Sequence, residues 1–422
     1  MDFSLSEEQQ MLKTSARDFL QTECPEKMVR DMEEDDKGYS PELWKKIADL
    51  GWLGLIYPEK YDGSDGSILD MAVLCEEMGR AMLPSPFLST VVLCGLTILD
   101  AGSEEQKKAM LPKIVSGDLT LALAMTEPEA SWDGNQWDAD GITVTATADG
   151  DNYVINGTKL FVWDALAANQ LLVVTRTKKG GNPEKGITLF LVDAKGPGIS
   201  CTVLRTTPGD KRQTEVIFDK VKVPKKNMVG QLNGGWTPLA KVLKVGAVLL
   251  SAEMVGAGEI ATELSVDYAK TRVQFEMPIG INQWVQEHCV WGFADYQGTR
   301  TLVYEAAWML SEGIPCDLEV SMTKARANNA IEEALWRAHQ VLAGVGFTTQ
   351  DGVLPLYTKR GLAQKHYLGD TDYHLEKVAQ QIEKWPASEK PRGKPLGIFE
   401  TPEDLQVPAW DIWRTQTKGK LW

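Results

Sequence analysis

The spacing of apolar residues changes twice along the chain, and this constrains the fold more than any single motif. Up to about residue 120 they recur every three to four positions, as on one face of a helix. From Leu121 the period drops to two. ITVTATADGDNYVINGTKLFV alternates apolar and polar residues around a DGD turn, and LLVVTRT and ITLFLVDA follow, separated by the loop KKGGNPEKG. Past Gly234 and Gly235 the helical period returns. A helical pattern laid into a sheet turns half of its apolar residues to water, so the three stretches must fold as different kinds of structure. The reading is α+β: an N-terminal helical domain over 1–120, a middle antiparallel β-barrel-like domain over 121–233, and a C-terminal four-helix bundle over 234–385.

Local start and stop signals agree with that reading. Ser6 with Gln9 and Ser103 with Gln106 have capping-box spacing, Ser40 followed by Pro41 opens a helix, and Gly51 and Gly117 close helices. The bundle helices are predicted over 237–272, 283–312, 317–342 and 360–384. A C-terminal extension over 386–422 has no period and is rich in Pro, Lys and Trp. It is read either as disordered or as packing on its own or a neighbouring subunit. Trp410, Trp413 and Trp422 favour packing, and deletion of 390–422 is then expected to weaken oligomerisation.

Composition removes several classes of function. A formal net charge of -15 repels phosphates, which argues against nucleic acid or an anionic membrane as the main partner. The 6 cysteines (Cys24, Cys75, Cys94, Cys201, Cys289, Cys316) lack CxxC spacing, so they read as reduced residues of a cytoplasmic protein with no metal site. The start, MDFSLSEEQQ, lacks the basic and apolar runs of an export signal, and no stretch is apolar for long enough to span a bilayer. A soluble enzyme is expected.

Four short patterns follow one another: Thr126, Glu127 and Pro128 in AMTEPEASWD; Asn156, Gly157 and Lys159 in NGTKLFVWDA; Arg272, Phe275, Pro278, Ile279 and Gln283 in RVQFEMPIGINQ; and Gln340, Gly344 and Gly346 in QVLAGVGF. In that order they resemble the TEP, NGxKxWITNA, RxxFGxPIxxxQ and QxxGGxG signatures of the acyl-CoA dehydrogenase family, a resemblance that covers residues 1 to about 385. The resemblance implies FAD as cofactor and α,β-dehydrogenation of a coenzyme A thioester, with electrons passed to an electron-transferring flavoprotein. It further implies a homotetramer, or a hetero-oligomer with a second dehydrogenase-like chain, in which FAD lies between the β domain and the bundle. Thr126, Phe161 and Trp163 would then face the flavin. Arg272, Phe275, Gln283, Gln340, Gly344 and Gly346 would reach the nucleotide half of the FAD held by the neighbouring subunit, with Arg272 paired to pyrophosphate.

The departures carry more information. Phe161 and Trp163 replace the tryptophan and threonine of the WIT triplet, and Ala130, Ser131, Trp132 and Asp133 replace AGSD in a pyrophosphate-facing loop. Many members carry the catalytic glutamate in IYEGTSEIQ. Within KHYLGDTDYH the corresponding run is Tyr367, Leu368, Gly369, Asp370, so Leu368 holds the base position. The alternative base position and its arginine, on the first bundle helix, are Gly246 and Ala247, while Lys244 replaces an aspartate that helps to hold the coenzyme. Leucine cannot accept a proton. Three readings follow. Asp370, or His366 or His374, substitutes as base; or a partner chain supplies it; or the pocket serves another reaction of acyl thioesters, such as decarboxylation or another bond cleavage. A bulky, cyclic or dicarboxylic acyl group is the expected substrate. In purely structural terms Asp370 or Asp372 caps a helix after Gly369. Glu253, about two turns from Gly246 and hence ~10 Å along the axis, reads as structural.

Overall fold

The computed structural model describes residues 4–131, 134–204, 206, 213–348 and 352–384. The extension over 386–422, with Trp410, Trp413 and Trp422, lies outside the described residues, as do Trp132 and Asp133. Residues 1–378 form one compact unit and 379–422 a second.

Six helices open the chain: α1 (Glu7–Glu23), α2 (Glu26–Glu34), α3 (Pro41–Asp49), α4 (Ile68–Arg80), α5 (Leu96–Ala101) and α6 (Glu104–Val115). Both capping boxes form, at Ser6 and at Ser103, and Ser67 with Asp70 makes a third. A π-helical stretch, Leu88–Gly95, is buried along its whole length and leads into α5. Wide helical turns of this kind recur beside functional clefts.

The middle region is a sheet of β1 (Leu121–Ala124), β2 (Thr145–Asp149), β3 (Asn152–Trp163), β4 (Gln170–Arg176), β5 (Ile187–Asp193), β6 (Ile199–Val203), β7 (Gln213–Pro224) and β8 (Met228–Val229). Its path runs β6-β7-β3-β2-β4-β5-β8, with β1 added in parallel on β4. The path is open, ending on β6 and β8, so the barrel-like expectation loosens to an open sheet. One physical reason is visible in the burial. Leu121, Leu123, Leu172, Val174, Leu189 and Leu191 point into the core shared with the helices. Their alternating neighbours Ala122, Ala124, Leu171, Val173, Phe190 and Val192 form a second core on the other face. Period-two patterning here feeds two cores, and helices cover the face that a barrel would have to cover with its own strands.

The C-terminal helices are α7 (Trp236–Thr271), α8 (Gln283–Ser311), α9 (Asp317–Leu342), the short α10 (Gly344–Phe347), α11 (Leu354–His366) and α12 (Thr371–Glu383). Between α7 and α8 lies a hairpin of β9 (Val273–Gln274) and β10 (Met277–Pro278). Three bundle helices match the predicted spans closely. The fourth does not: the stretch read as one helix over 360–384 is two, α11 and α12, broken at Tyr367–Asp370. Leu368 has φ 60° and Gly369 φ 101°, a left-handed step that no helix can contain.

Charge joins the N-terminal helices to the bundle. Glu76, Glu77 and Glu259 bring carboxylate oxygens within 4.8 Å of one another. Lys13, Arg17, Arg80 and Arg300 pair with them, and the Tyr304 hydroxyl donates to Glu76 at 2.9 Å. The acids are thus neutralised by an ion-pair lattice linking α1, α4, α7 and α8. Among the described residues no helix is long and apolar enough to cross a membrane.

Candidate active site

Two motif segments meet where the sheet faces the bundle. On the sheet side, Glu127 is buried and accepts from Thr143 N at 2.7 Å, from the Thr143 hydroxyl at 2.6 Å and from Val144 N at 3.0 Å. Lys159, with 0% exposure, donates to Glu127 Oε1 at 2.5 Å and to the Met125 carbonyl at 2.8 Å. Burial pushes the Lys159 amine below its usual range, and Glu127 pulls it part of the way back. The acid of TEP and the lysine of NGxK are therefore a strut that holds the end of β1 against β3.

That strut fixes the residues expected to face the flavin. Leu160 N donates to the Thr126 carbonyl at 2.9 Å, and the Thr126 hydroxyl donates back to the Leu160 carbonyl. Just beyond, the β3–β7 register slips between Lys159 and Val162, and Phe161 takes φ 53°. A bulge of this kind re-aims the strand end. Here it turns Trp163 into the helical core, where the ring stacks on Tyr367 with centroids 3.9 Å apart and planes 10° from parallel. Trp137 meets the same tyrosine edge-on at 5.1 Å. Ser89 of the π-helical stretch donates to Asp164 at 2.5 Å, and the Tyr373 hydroxyl donates to Asp138 at 2.9 Å. An aromatic cluster thus joins the sheet edge to the turn between α11 and α12.

Leu368 and Gly246, the positions at which the resemblance implies a base, sit beside that cluster. Leu368 is 4% exposed. A Cβ built on Gly246 would lie 2.7 Å from Leu93 Cδ2 and 3.0 Å from Leu368 Cδ1. The two alternative base positions therefore converge on one spot, and leucine side chains fill it. Asp370 Oδ1 accepts the Tyr373 N–H at 2.9 Å, the N-cap bond of α12. His366 titrates below its usual range, because burial outweighs the attraction of Asp370. Burial also drives His374 down to about 3, and its Nε2 donates to the Leu368 carbonyl at 2.9 Å. Glu253 accepts from the Gln364 amide at 2.8 Å, and Lys244 pairs with Asp317.

The nucleotide-facing candidates lie on two surface turns. Arg272 caps α7, Gln283 opens α8, and both are exposed. Phe275 and Glu276 form the hairpin tip with φ 51° and 68°, a left-handed pair usually left to Asn-Gly. Phe275 is 98% exposed, so its own chain gives it no packing. Gln340 and Gly344 are exposed at the end of α9 and the start of α10, and Gly346 is buried. Trp137 carries no motif in the sequence, and Tyr367, aligned there with the aromatic residue of the family's run, gave no sign of being a stacking partner.

Family models cover nearly all of this architecture. The acyl-CoA dehydrogenase N-terminal domain matches residues 6–118, the middle domain 122–221 and the C-terminal domain 233–383. The chain belongs to the acyl-CoA dehydrogenase family. It is 31% identical to a 3-(aryl)acrylate reductase of Clostridium sporogenes over 83% of this chain and 92% of that protein. It superposes with a TM-score of 0.82 and 25% identity on the FAD complex of PigA, covering 91% of this chain and 99% of that one. With the ChsE4-ChsE5 complex from Mycobacterium tuberculosis the TM-score is 0.81 at 25% identity, covering 92% of this chain and 100% of that one. The family consists of flavin-dependent oxidoreductases.

The residues present fit FAD. Gln136 Oε1 and Trp137 Nε1 are buried without a hydrogen-bond partner among the described residues, which leaves an acceptor and a donor for a bound polar group beside the aromatic cluster. At the hairpin, Arg272 offers a planar fork of donors to a phosphate.

Proposed function

We propose that this chain is an FAD-dependent acyl-CoA dehydrogenase that acts on the Cα–Cβ bond of a bulky, cyclic or dicarboxylic acyl thioester and passes electrons to an electron-transferring flavoprotein. The observation that carries the reading is the contact of Trp163 with Tyr367, because it sets the flavin-facing strand end against the turn of the base position. When bound, FAD supplies the hydride acceptor. The chain's own residues orient and exclude water: Thr126 and Phe161 shape the sheet edge, Trp163 and Tyr367 wall the cleft, and Leu93 and Leu368 keep it dry. Arg272, Phe275, Gln283, Gln340, Gly344 and Gly346 reach the nucleotide half of FAD in a neighbouring subunit, within a homotetramer or a hetero-oligomer.

Asp370 is the proposed acceptor of the α proton. Asparagine caps a helix as well as aspartate does, so Asp370→Asn separates proton transfer from folding. The test is anaerobic bleaching of the bound flavin by linear, cyclic and dicarboxylic CoA thioesters, with the chain alone. Bleaching that Asp370→Asn slows by ~10² to 10⁴ supports the assignment; equal rates in parent and variant remove Asp370 from the mechanism.

A second reading has its own support. The leucine-filled spot between Leu368 and Gly246 favours a chain that completes FAD sites while a second dehydrogenase-like chain supplies the base, as two chains assemble in the ChsE4-ChsE5 complex. Flavin that binds but bleaches only after a partner chain is added would select this reading.

A further inference from the structure

The break between α11 and α12 costs backbone strain, since leucine is disfavoured in the left-handed region, and something must hold it. Behind it lies a polar lattice that plays no part in the proposed flavin site. Lys324 of α9 has 0% exposure, and its Nζ donates to Asn328 Oδ1 at 2.5 Å, to the Gln364 carbonyl at 3.0 Å and to the Lys365 carbonyl at 3.4 Å. Asn328, also fully buried, donates from Nδ2 to the Gly369 carbonyl at 3.3 Å. His374 reaches the Leu368 carbonyl from the other side. Gly369 has no room for a side chain, because a Cβ there would lie 2.6 Å from His374 Nε2 and 2.6 Å from Tyr373 Cδ1. Four successive or nearly successive carbonyls, of residues 364, 365, 368 and 369, are therefore bound by three buried side chains from α9 and α12.

The geometry points to Lys324, Asn328 and His374 as positioning residues that clamp the turn 367–370, so that Tyr367 stays stacked on Trp163 and residue 368 stays aimed at Gly246. None of the three touches the reacting atoms; each acts through the turn. The inference rests on the proposed flavin cleft for its functional meaning, but the clamp itself can be read without FAD.

The chemistry gives the clamp a pH dependence. An ammonium offers three donors to the three acceptors around Nζ, whereas a neutral amine offers two. Burial lowers the Lys324 pKa from 10.5 to about 7, against an opposing pull from Asp370. The charged and titratable groups facing it are Asp370 and Lys365, with His366 at the end of α11 and His374 on α12. His374, at about 3, stays neutral through this range. Deprotonation of Lys324 near pH 7 thus releases one of the three contacts while it removes a buried charge that has no carboxylate partner, so the geometry of the turn changes through this range.

The test follows the part of the near-ultraviolet circular dichroism that Trp163→Phe abolishes, recorded on the chain without FAD across pH 7, with flavin absorbance of the FAD-loaded chain as a second readout. The parent should show a transition centred near 7 in the stacking signal. Lys324→Met should lose that transition. Asn328→Asp keeps an acceptor for Lys324, adds a charge partner and removes the donor to Gly369, so its midpoint should move upward while the stacking amplitude falls. A parent signal flat through pH 7, or variants that only lower the melting temperature with an unchanged titration, would overturn the inference. If Lys324→Met does not fold, Asn328→Asp decides. Failure of FAD to bind would count against the flavin reading alone, because the stacking signal is recorded without it.

Discussion

Among the described residues two lysines are completely buried, and they differ in one respect. Lys159 in the sheet has a carboxylate, Glu127, at 2.5 Å, whereas Lys324 in the bundle has an amide oxygen and two backbone carbonyls. A buried ammonium with a full counter-charge is a fixed strut. One that has only neutral acceptors is satisfied geometrically but not electrostatically, and it sits near its titration point. The strut lies under the TEP and NGxK motifs, which match the family; the poised lysine lies under the turn that departs from it. The comparison shows that retained motif residues here act first as scaffold, and that the altered turn depends on residues outside any motif.

The largest expected effect tests the strut. Glu127→Gln leaves the Lys159 charge buried without a counter-charge and should cost ~3–5 kcal/mol, read as a fall in denaturation midpoint. A loss under about 1 kcal/mol would show that the pair is no strut. Next comes the chemistry of the altered turn. In the Asp370→Asn background, Leu368→Glu puts a carboxylate at the expected base position opposite Gly246, and should accelerate flavin bleaching by a CoA thioester by ~10² or more if that background lacks only a base. An unaccelerated variant that still binds flavin would place the obstacle in the Trp163–Tyr367 stack instead.

A smaller effect separates the lysines by pH. The folded pKa of Lys324 is depressed, so between 7 and 10.5 the unfolded chain holds a proton that the folded chain has released. Its burial therefore penalises stability in full below 7, and the penalty is relieved as pH rises toward 10.5. Parent stability should climb over that window relative to Lys324→Met, by at most about 1.4 kcal/mol per pH unit. Parallel curves would remove the distinction between the two lysines. The smallest effect is the control: Phe275→Ala, at the exposed hairpin tip, should change the stability of the isolated chain by less than about 0.5 kcal/mol while weakening FAD retention in the assembled protein. A large destabilisation of the isolated chain would show that the tip packs on its own fold.

Much of the fold was legible because it rests on local rules. Periodicity separated helical from β stretches, and Ser6 and Ser103 marked helix starts that the structure realises as capping boxes. The split of the last predicted helix was not legible. Propensity carries a helix through residues 360–384, and the left-handed step at Leu368 is imposed by contacts from Asn328 and His374, which are distant or follow it in sequence. In the site, the family resemblance singled out Leu368 and Gly246 as the two positions where a base was expected. That the two touch each other, with Leu93 between, is a fact of packing.

By itself, then, the sequence determined the order of helical, β and helical regions, the family resemblance and the identity of residues 368 and 246 as leucine and glycine, because these depend on residue identity and short-range spacing. Only the tertiary structure decided that the sheet stays open, that Trp163 lies flat on Tyr367, and that Asp370 caps α12. It also decided that one buried lysine is neutralised while the other is poised, because a side chain's charge state and contacts are set by neighbours that the chain brings together only on folding.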